Sequence, residues 1–218
     1  MTAENFYSSQ DSHLVAVDCI ILGFQENQIR LLVHPRAMEP AKGGLSLMGG
    51  FVRSNESLEE AAIRVLTDLT GLENIYMEQV GMYGAVNRDP GRRVISCAYY
   101  ALINIDTSDQ TLLSNHNASW MNIHQASELI FDHAQMVTDA LGILRRKAAI
   151  EPIGLNLLPG KFTLTHLQSL YEAIYDQPLD KRNFRKRMLG FDFLEKMDEV
   201  DKSGSKKGAF YYKLKNQP

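Results

Sequence analysis

Residues 50–72 read GFVRSNESLEEAAIRVLTDLTGL, and this stretch decides the fold. From Leu58 to Leu69 the apolar residues Leu58, Ala61, Ala62, Val65, Leu66 and Leu69 recur at spacings of three and four. That period puts them on one stripe of an amphipathic helix. Gly71 follows as a stop, because glycine takes the left-handed backbone that ends helices without a steric cost. Upstream, residues 39–50 are rich in glycine and proline and read as a loop.

Working outward, Leu14–Phe24 (LVAVDCIILGF) is β-branched and apolar with one acid, Asp18, in its middle, and reads as a buried strand. Asn27 marks a turn, and Ile29–Val33 reads as the returning strand of a hairpin. Ile75–Tyr83 and Val94–Ile105 read as strands flanking a loop at residues 87–92. A short strand is expected at Ser119–Ile123, a helical turn at Ser127–Ile130 and an amphipathic helix at Gln135–Ala149. The pattern breaks at Glu151-Pro152-Ile153-Gly154, which sets the expected domains at 1–150 and 151–218. Beyond the break, Thr163–Tyr175 and Lys181–Leu189 read as helices, the second opening after Asp180 as N-cap. Phe193–Met197 and Ala209–Leu214, joined by a Lys/Gly/Ser turn, read as a β-hairpin.

The chain has 218 residues, 44% hydrophobic and 22% charged, which suits a folded chain of one or two domains. Cys19 and Cys97 both fall in apolar runs and read as reduced core thiols, not as a disulfide framework. The polar N-terminus lacks the pattern of a signal peptide, and no apolar run approaches a membrane span, so a cytoplasmic protein is expected. The net charge of −3 hides an asymmetry: residues 156–218 carry a net +4 and residues 1–155 a net −7. Such a split suggests a basic interaction module attached to an acidic domain, although a swing of a few charges also arises by chance.

Gly50, Glu56, Arg64, Leu66, Gly71 and Leu72 fall on the fixed positions of the Nudix box, G-x5-E-x7-R-E-U-x-E-E-x-G-U with U aliphatic, and the segment resembles that motif. In Nudix hydrolases the three acids of REUxEE share one helical face and hold divalent cations for attack by water on a diphosphate. Here those positions are Val65, Asp68 and Leu69. The expectation is therefore no hydrolysis, no catalytic residues, no metal site and no cofactor. Arg64 and Glu56 then serve as an ion pair bracing the loop against the helix.

Two helices followed by a hairpin make the skeleton of a winged helix-turn-helix. The second helix offers Lys181, Arg182, Asn183, Arg185 and Lys186, and the turn offers Lys202, Lys206 and Lys207. Lys and Arg reach phosphates and guanine edges, and Asn pairs with adenine. The chain as a whole resembles the Nudix-related transcriptional regulators of bacteria. That resemblance implies an α+β protein with an N-terminal Nudix fold, a mixed sheet sandwiched by helices, and a C-terminal winged helix-turn-helix. It further implies a homodimer on double-stranded operator DNA, released by a small-molecule effector. One branch of the family senses ADP-ribose and governs NAD synthesis. Another, from Bacteroidetes, responds to L-arabinose, and the chain is similar to that branch in Asp18-Cys19-Ile20-Ile21, Ser46–Val52 and Gln79-Val80-Gly81. The expected function is a sugar-responsive repressor with L-arabinose as effector. The alternatives are an ADP-ribose-responsive regulator and a Nudix hydrolase with an accessory domain.

The resemblance places the effector in the cleft beside the Nudix helix, with Asp18, Arg36, Gly49, Gly50, Arg88 and Asp89 as candidate ligand-binding residues. A buried acid such as Asp18 needs either a ligand or a satisfying neighbour. Arg88 and Asp89 lie on a loop, where Asp-Pro-Gly equally serves turn chemistry. Arg36 lines the cleft or is a surface charge. The histidines at 34, 116, 124 and 133 have no metal-ligand spacing and read as incidental.

Overall fold

The computed structural model describes residues 8–72, 75–105, 110–202 and 208–215, without the side chains of residues 110–112 and 156. A mixed sheet organises the first domain. Its strands are β1 (Leu14–Gln25), β2 (Gln28–Pro35), β3 (Leu45–Ser46), β4 (Met48–Phe51), β5 (Met77–Tyr83), β6 (Val94–Leu102) and β7 (Ser119–Asn122). The order is β3-β2-β1-β6-β5, with β4 paired to β1 and β7 to β2. β1 and β6 run parallel, and the other pairs run antiparallel.

Alternation along β1 assigns its side chains to two cores. Val17, Cys19 and Ile21 pack with α1 (Leu58–Thr70), whose Ala61, Ala62, Val65 and Leu66 are buried. Ile20 and Leu22 face the opposite side, where α3 (His133–Ile150) lays down Met136, Val137, Ala140 and Leu144. Asp18 shares the parity of Ile20 and Leu22, so it lies on the face covered by α3. The short helix α2 (Gln110–Asn115) lies beside α1.

The local signals for α1 are strong. Ser57 and Glu60 form a reciprocal capping box, and Gly71 closes the helix at φ 70°. The loop expected over residues 39–50 instead contains β3 and β4. Two glycines hid the second strand. They are tolerated there because β4 passes against Asp18: a Cβ on Gly49 would lie 2.5 Å from Asp18 Oδ1.

The second domain holds β8 (Phe162–Thr163), α4 (Leu164–Tyr175), α5 (Lys181–Gly190), β9 (Leu194–Asp201) and β10 (Ala209–Leu214). Thr163 and Asp180 cap the two helices by accepting the amides of His166 and Asn183. The hairpin gains a third strand that sequence patterning missed, giving the order β8-β10-β9. β8 has only two residues and therefore shows no periodicity.

One apolar core runs from the sheet through α3 into the winged helix, where Leu167, Leu170, Tyr171, Ile174, Phe184 and Met188 are buried. Arg145 Nε donates to the Ile174 carbonyl at 2.8 Å, and the Tyr171 hydroxyl accepts the Ile153 amide at 3.2 Å. Both bonds tie the linker and the helices of the two domains together. Among the described residues, no helix is long and apolar enough to cross a membrane.

Candidate functional site

A cavity of about 150 Å³ opens between the first strands and the start of α3. Asp18, Arg36, Gly49, Gly50, Arg88 and Asp89 all line it, together with His34, Ser46, Phe131 and His133. Residues as far apart in sequence as Asp18 and Asp89 meet because β1 pairs with β4 on one side and β6 on the other.

The wall of the cavity is a network centred on Arg88. Its guanidinium meets Asp132 twice, Nε to Oδ2 at 2.9 Å and Nη2 to Oδ1 at 2.7 Å, and meets Asp18 Oδ2 at 3.3 Å. Ser96 Oγ donates to Asp18 Oδ2 at 2.6 Å. Burial works against the charged guanidinium, but Asp132 and Asp18 outweigh it and hold the Arg88 pKa above its ordinary value. Asp18 is therefore satisfied within the protein and is also in the wall of a cavity; the two readings of this acid coincide.

His133 is buried at 3% exposure. Its Nδ1 accepts the Leu47 amide at 3.2 Å, and Nε2 lies 3.7 Å from Asp18 Oδ1. Burial lowers its pKa more than Asp18 raises it, so the ring is neutral with the proton on Nε2. This histidine is structural to the cavity wall and not incidental. His34 also lines the cavity, and burial lowers its pKa too. Among the described residues no group of three His, Cys, Asp or Glu is placed to hold a metal ion.

Arg36 lies over the ring of Phe131, 5.0 Å from its centroid, and donates to the Met38 carbonyl at 3.1 Å. Its Nη2 is 4.0 Å from Asp89 Oδ2. Asp89 also accepts the Gly91 amide at 2.7 Å, so it performs turn chemistry and lines the cavity at once.

A wider compartment of about 550 Å³ continues along α1 and shares His34, Arg36, Ala37 and Gly49 with the first. Val65, Asp68 and Leu69 line it. Val65 and Leu69 are buried members of the α1-side core, so apolar packing occupies two of the three motif-acid positions. Arg64 donates to Glu56 through Nε at 2.9 Å and Nη2 at 2.6 Å, and also to the Phe51 carbonyl. Those hydrogen bonds from Arg64 hold the Glu56 carboxyl at about 2. The pair braces the box, as its surviving residues imply.

On the winged helix, Phe184 and Met188 anchor α5 while Lys181, Arg182, Asn183 and Lys186 are exposed. Arg185 is only half-exposed, and its Nε is buried without a hydrogen-bond partner. Arg187 turns inward to donate to the Ala148 carbonyl at 2.5 Å. Lys202 is exposed at the end of β9, while Lys206 and Lys207 lie outside the described residues. The hairpin is less basic than its turn suggests: Lys161, Lys213 and Lys215 pair with Glu199, Glu195 and Asp192. Among the described residues of the winged helix, the basic surface is thus concentrated on α5.

Sequence reading did not find Asp132, His133, Ser96 or Phe131. Asp132 had a signal, an acid directly before a helix. The partnership of that acid with Arg88 had none, since it bridges 44 residues.

Two family models match the chain: the NUDIX domain over residues 12–140 and the NrtR DNA-binding winged helix domain over residues 154–214. The chain is 32% identical over 208 residues to the ADPR responsive transcriptional repressor NtrR of Acinetobacter baylyi, covering 94% of this chain and 83% of that protein. It is 32% identical over 128 residues to an ADP-ribose pyrophosphatase of Methanocaldococcus jannaschii, covering 57% of this chain and 71% of that enzyme. The crystal structure of Shewanella oneidensis NrtR with a 27mer DNA superposes with a TM-score of 0.83 at 26% identity, covering 92% of this chain and 93% of that one.

Proposed function

The chain belongs to the NrtR family of Nudix-related transcriptional regulators, a Nudix domain followed by a DNA-binding winged helix, and we propose that it is a repressor whose Nudix cleft senses a small molecule carrying a pentose ring. The supporting observation is the cavity where Asp18, Arg88, Asp89 and His133 converge on a space of about 150 Å³. Carboxylates accept paired hydroxyl hydrogen bonds, and guanidinium and imidazole N–H groups donate to ring and hydroxyl oxygens. A pentose presents both kinds of atom.

ADP-ribose is the first candidate for that molecule. Relatives over the whole chain and over the Nudix part carry ADP-ribose in their names. The two adjoining compartments share Arg36; in this reading the pentose takes the inner one and the nucleotide the outer one along α1. Regulation of NAD metabolism would follow.

Free L-arabinose is the second reading, with control of sugar catabolism. It is favoured by charge. Arg88 is engaged by two carboxylates and Arg64 by Glu56, which leaves the cleft few cations for a diphosphate. The inner cavity also has the scale of a monosaccharide. The same chemistry, a pentose in the inner cavity, serves both readings.

In this proposal the cleft binds without hydrolysis or cofactor, since Val65 and Leu69 offer no ligand to a metal ion. The protein acts in the cytoplasm as a homodimer on double-stranded operator DNA, the two-fold symmetry matching paired half-sites. The residues that carry recognition of DNA are Lys181, Arg182, Asn183, Arg185 and Lys186 on α5 and Lys202 after β9, joined by Lys206 and Lys207, which lie outside the described residues.

The test is thermal unfolding in the presence of ADP-ribose, L-arabinose, D-ribose or D-xylose. A ligand at a hundred times its Kd adds about 2.7 kcal/mol of stability. A shift with ADP-ribose alone selects the first reading and a shift with L-arabinose alone the second. No shift with any of them overturns the pentose-sensing proposal.

A further inference from the structure

We propose that Asp132 is a positioning residue that couples the cleft to the DNA-binding helices by exchanging its carboxylate between Arg88 and the N-terminus of α3. The identity of what displaces it rests on the effector reading above. The coupling itself rests on the geometry of α3.

Asp132 stands at the N-cap of α3. An aspartate there normally turns its carboxylate onto an amide of the first turn. Ser57, Thr163 and Asp180 all do so for their own helices. Asp132 does not; its backbone lies at φ −96° and ψ 15°, and no side-chain capping bond forms. Both of its oxygens are taken by Arg88 instead. The best capping group available to α3 is thus held by the wall of the cavity.

The far end of the same helix holds the DNA-binding module. α3 has 18 residues, which spans about 27 Å at 1.5 Å per residue. Ala148, in its last turn, accepts Arg187 of α5. Arg145, one turn earlier, donates to the carbonyl of Ile174 near the end of α4. Leu144 and Ala148 are buried in the core shared with Leu170 and Met188. Any re-seating of the first turn of α3 is therefore delivered to both helices of the winged module by a rigid rod.

The two arrangements are defined by one carboxylate. In one, seen in the structure, Asp132 clamps Arg88. A ligand whose hydroxyl or phosphate oxygens occupy the Arg88 fork competes for it, and the released carboxylate then caps α3. The ligand's preference for one arrangement over the other is the free energy that shifts the winged helix.

The experiment uses the full chain and a duplex selected by the wild-type protein from a random-sequence pool. Asp132→Ser caps a helix but cannot bridge Arg88, so it mimics the released arrangement. Without any small molecule it should change duplex affinity by roughly tenfold, within the usual range of allosteric coupling. Arg187→Ala removes the tie at the other end. The double variant should match Arg187→Ala alone, and the cycle cancels any direct contact of Arg187 with DNA. Asp132→Asn keeps one hydrogen bond to Arg88 and should fall between wild type and Asp132→Ser. It takes the place of the serine variant in the cycle if that variant fails to fold.

Strictly additive effects, or an Asp132 variant that binds the duplex as wild type does, overturn the coupling. A second arm adds ADP-ribose or L-arabinose. Whichever raises the wild-type Tm should also raise that of Asp132→Ser while leaving its duplex affinity unmoved; a wild-type-sized change in duplex affinity would also overturn the proposal. If neither compound raises the wild-type Tm, the effector reading fails, and the ligand-free cycle still decides the coupling.

Discussion

The carboxylate of Asp18 occupies the space that Gly49 leaves empty: a Cβ on that glycine would come within 2.5 Å of Asp18 Oδ1 and 3.0 Å of the Val17 carbonyl. Asp18 has little room to move away, because Ser96 and Arg88 hold its other oxygen. Gly49→Ala should therefore cost about 1–3 kcal/mol, the usual penalty of overpacking. It should also weaken pentose binding by more than tenfold. Chemical denaturation and calorimetry check the two effects; a variant of wild-type stability and affinity would mean that β4 can shift freely.

Arg88 is buried between two acids. Arg88→Met leaves the buried Asp18 and the half-buried Asp132 without their cation, a change expected to cost about 3–5 kcal/mol. Arg88→Lys keeps the charge but not the two-pronged contact with Asp132, and should lose less. Urea unfolding of the three proteins should rank wild type, lysine, methionine in falling stability.

Hydrolysis of ADP-ribose with Mg²⁺ should stay at the uncatalysed level, read as phosphate released after phosphatase treatment. Val65→Glu with Leu69→Glu restores the motif acids in name only. Both positions are buried in the α1 core, so the pair should lower stability by several kcal/mol instead of creating an enzyme. Turnover at an ordinary enzymatic rate by the wild-type chain would refute the non-hydrolytic reading.

Arg182 is exposed on α5. Arg182→Ala should weaken binding to the selected duplex and, if the contact is to phosphate, reduce the slope of log affinity against log salt by about one. Thermal stability should stay within about 0.5 kcal/mol of wild type, as for surface changes generally. Fluorescence anisotropy across a salt series measures the slope. Unchanged affinity and slope would remove Arg182 from the interface.

Acid should destabilise the protein partly through His133. Its folded pKa lies below the ordinary value because the ring is buried, so the unfolded chain takes up the proton first. Stability is unaffected by this group above about pH 6.5 and falls as pH drops below it towards the depressed folded value. His133→Gln should be less stable at pH 7.5 yet show a shallower decline between about pH 6.5 and 5. A decline as steep as that of wild type would place the titrating group elsewhere.

The Nudix box was legible because its signals are local. Capping, apolar stripe and glycine stop all lie within residues 50–72, and periodicity reports them directly. The helices of the winged module were legible for the same reason, and Asp180 caps α5 as its position implied. β4 was not legible, because two glycines of its four residues erase the alternation. The inward turn of Arg187 was equally hidden: in sequence it is one more basic residue in Lys181–Met188, and only the packing of α3 against α5 gives it the Ala148 carbonyl.

The sequence by itself determined the domain types and the loss of two motif acids; the family resemblance offered Asp18, Arg36, Gly49, Gly50, Arg88 and Asp89 as cleft candidates, and all six line one cavity. Their proximity follows from the register of β1 with β4 and β6. Only the tertiary structure decided how Asp18 and Arg88 are satisfied, and that Asp132 and His133 join them. α3 is distant in sequence from β1 and the Arg88 loop, and its helical period says which face is apolar but not which buried charges its first residues will meet. That meeting is set by packing across the sheet, where the cost of burying unpaired charge selects the partners.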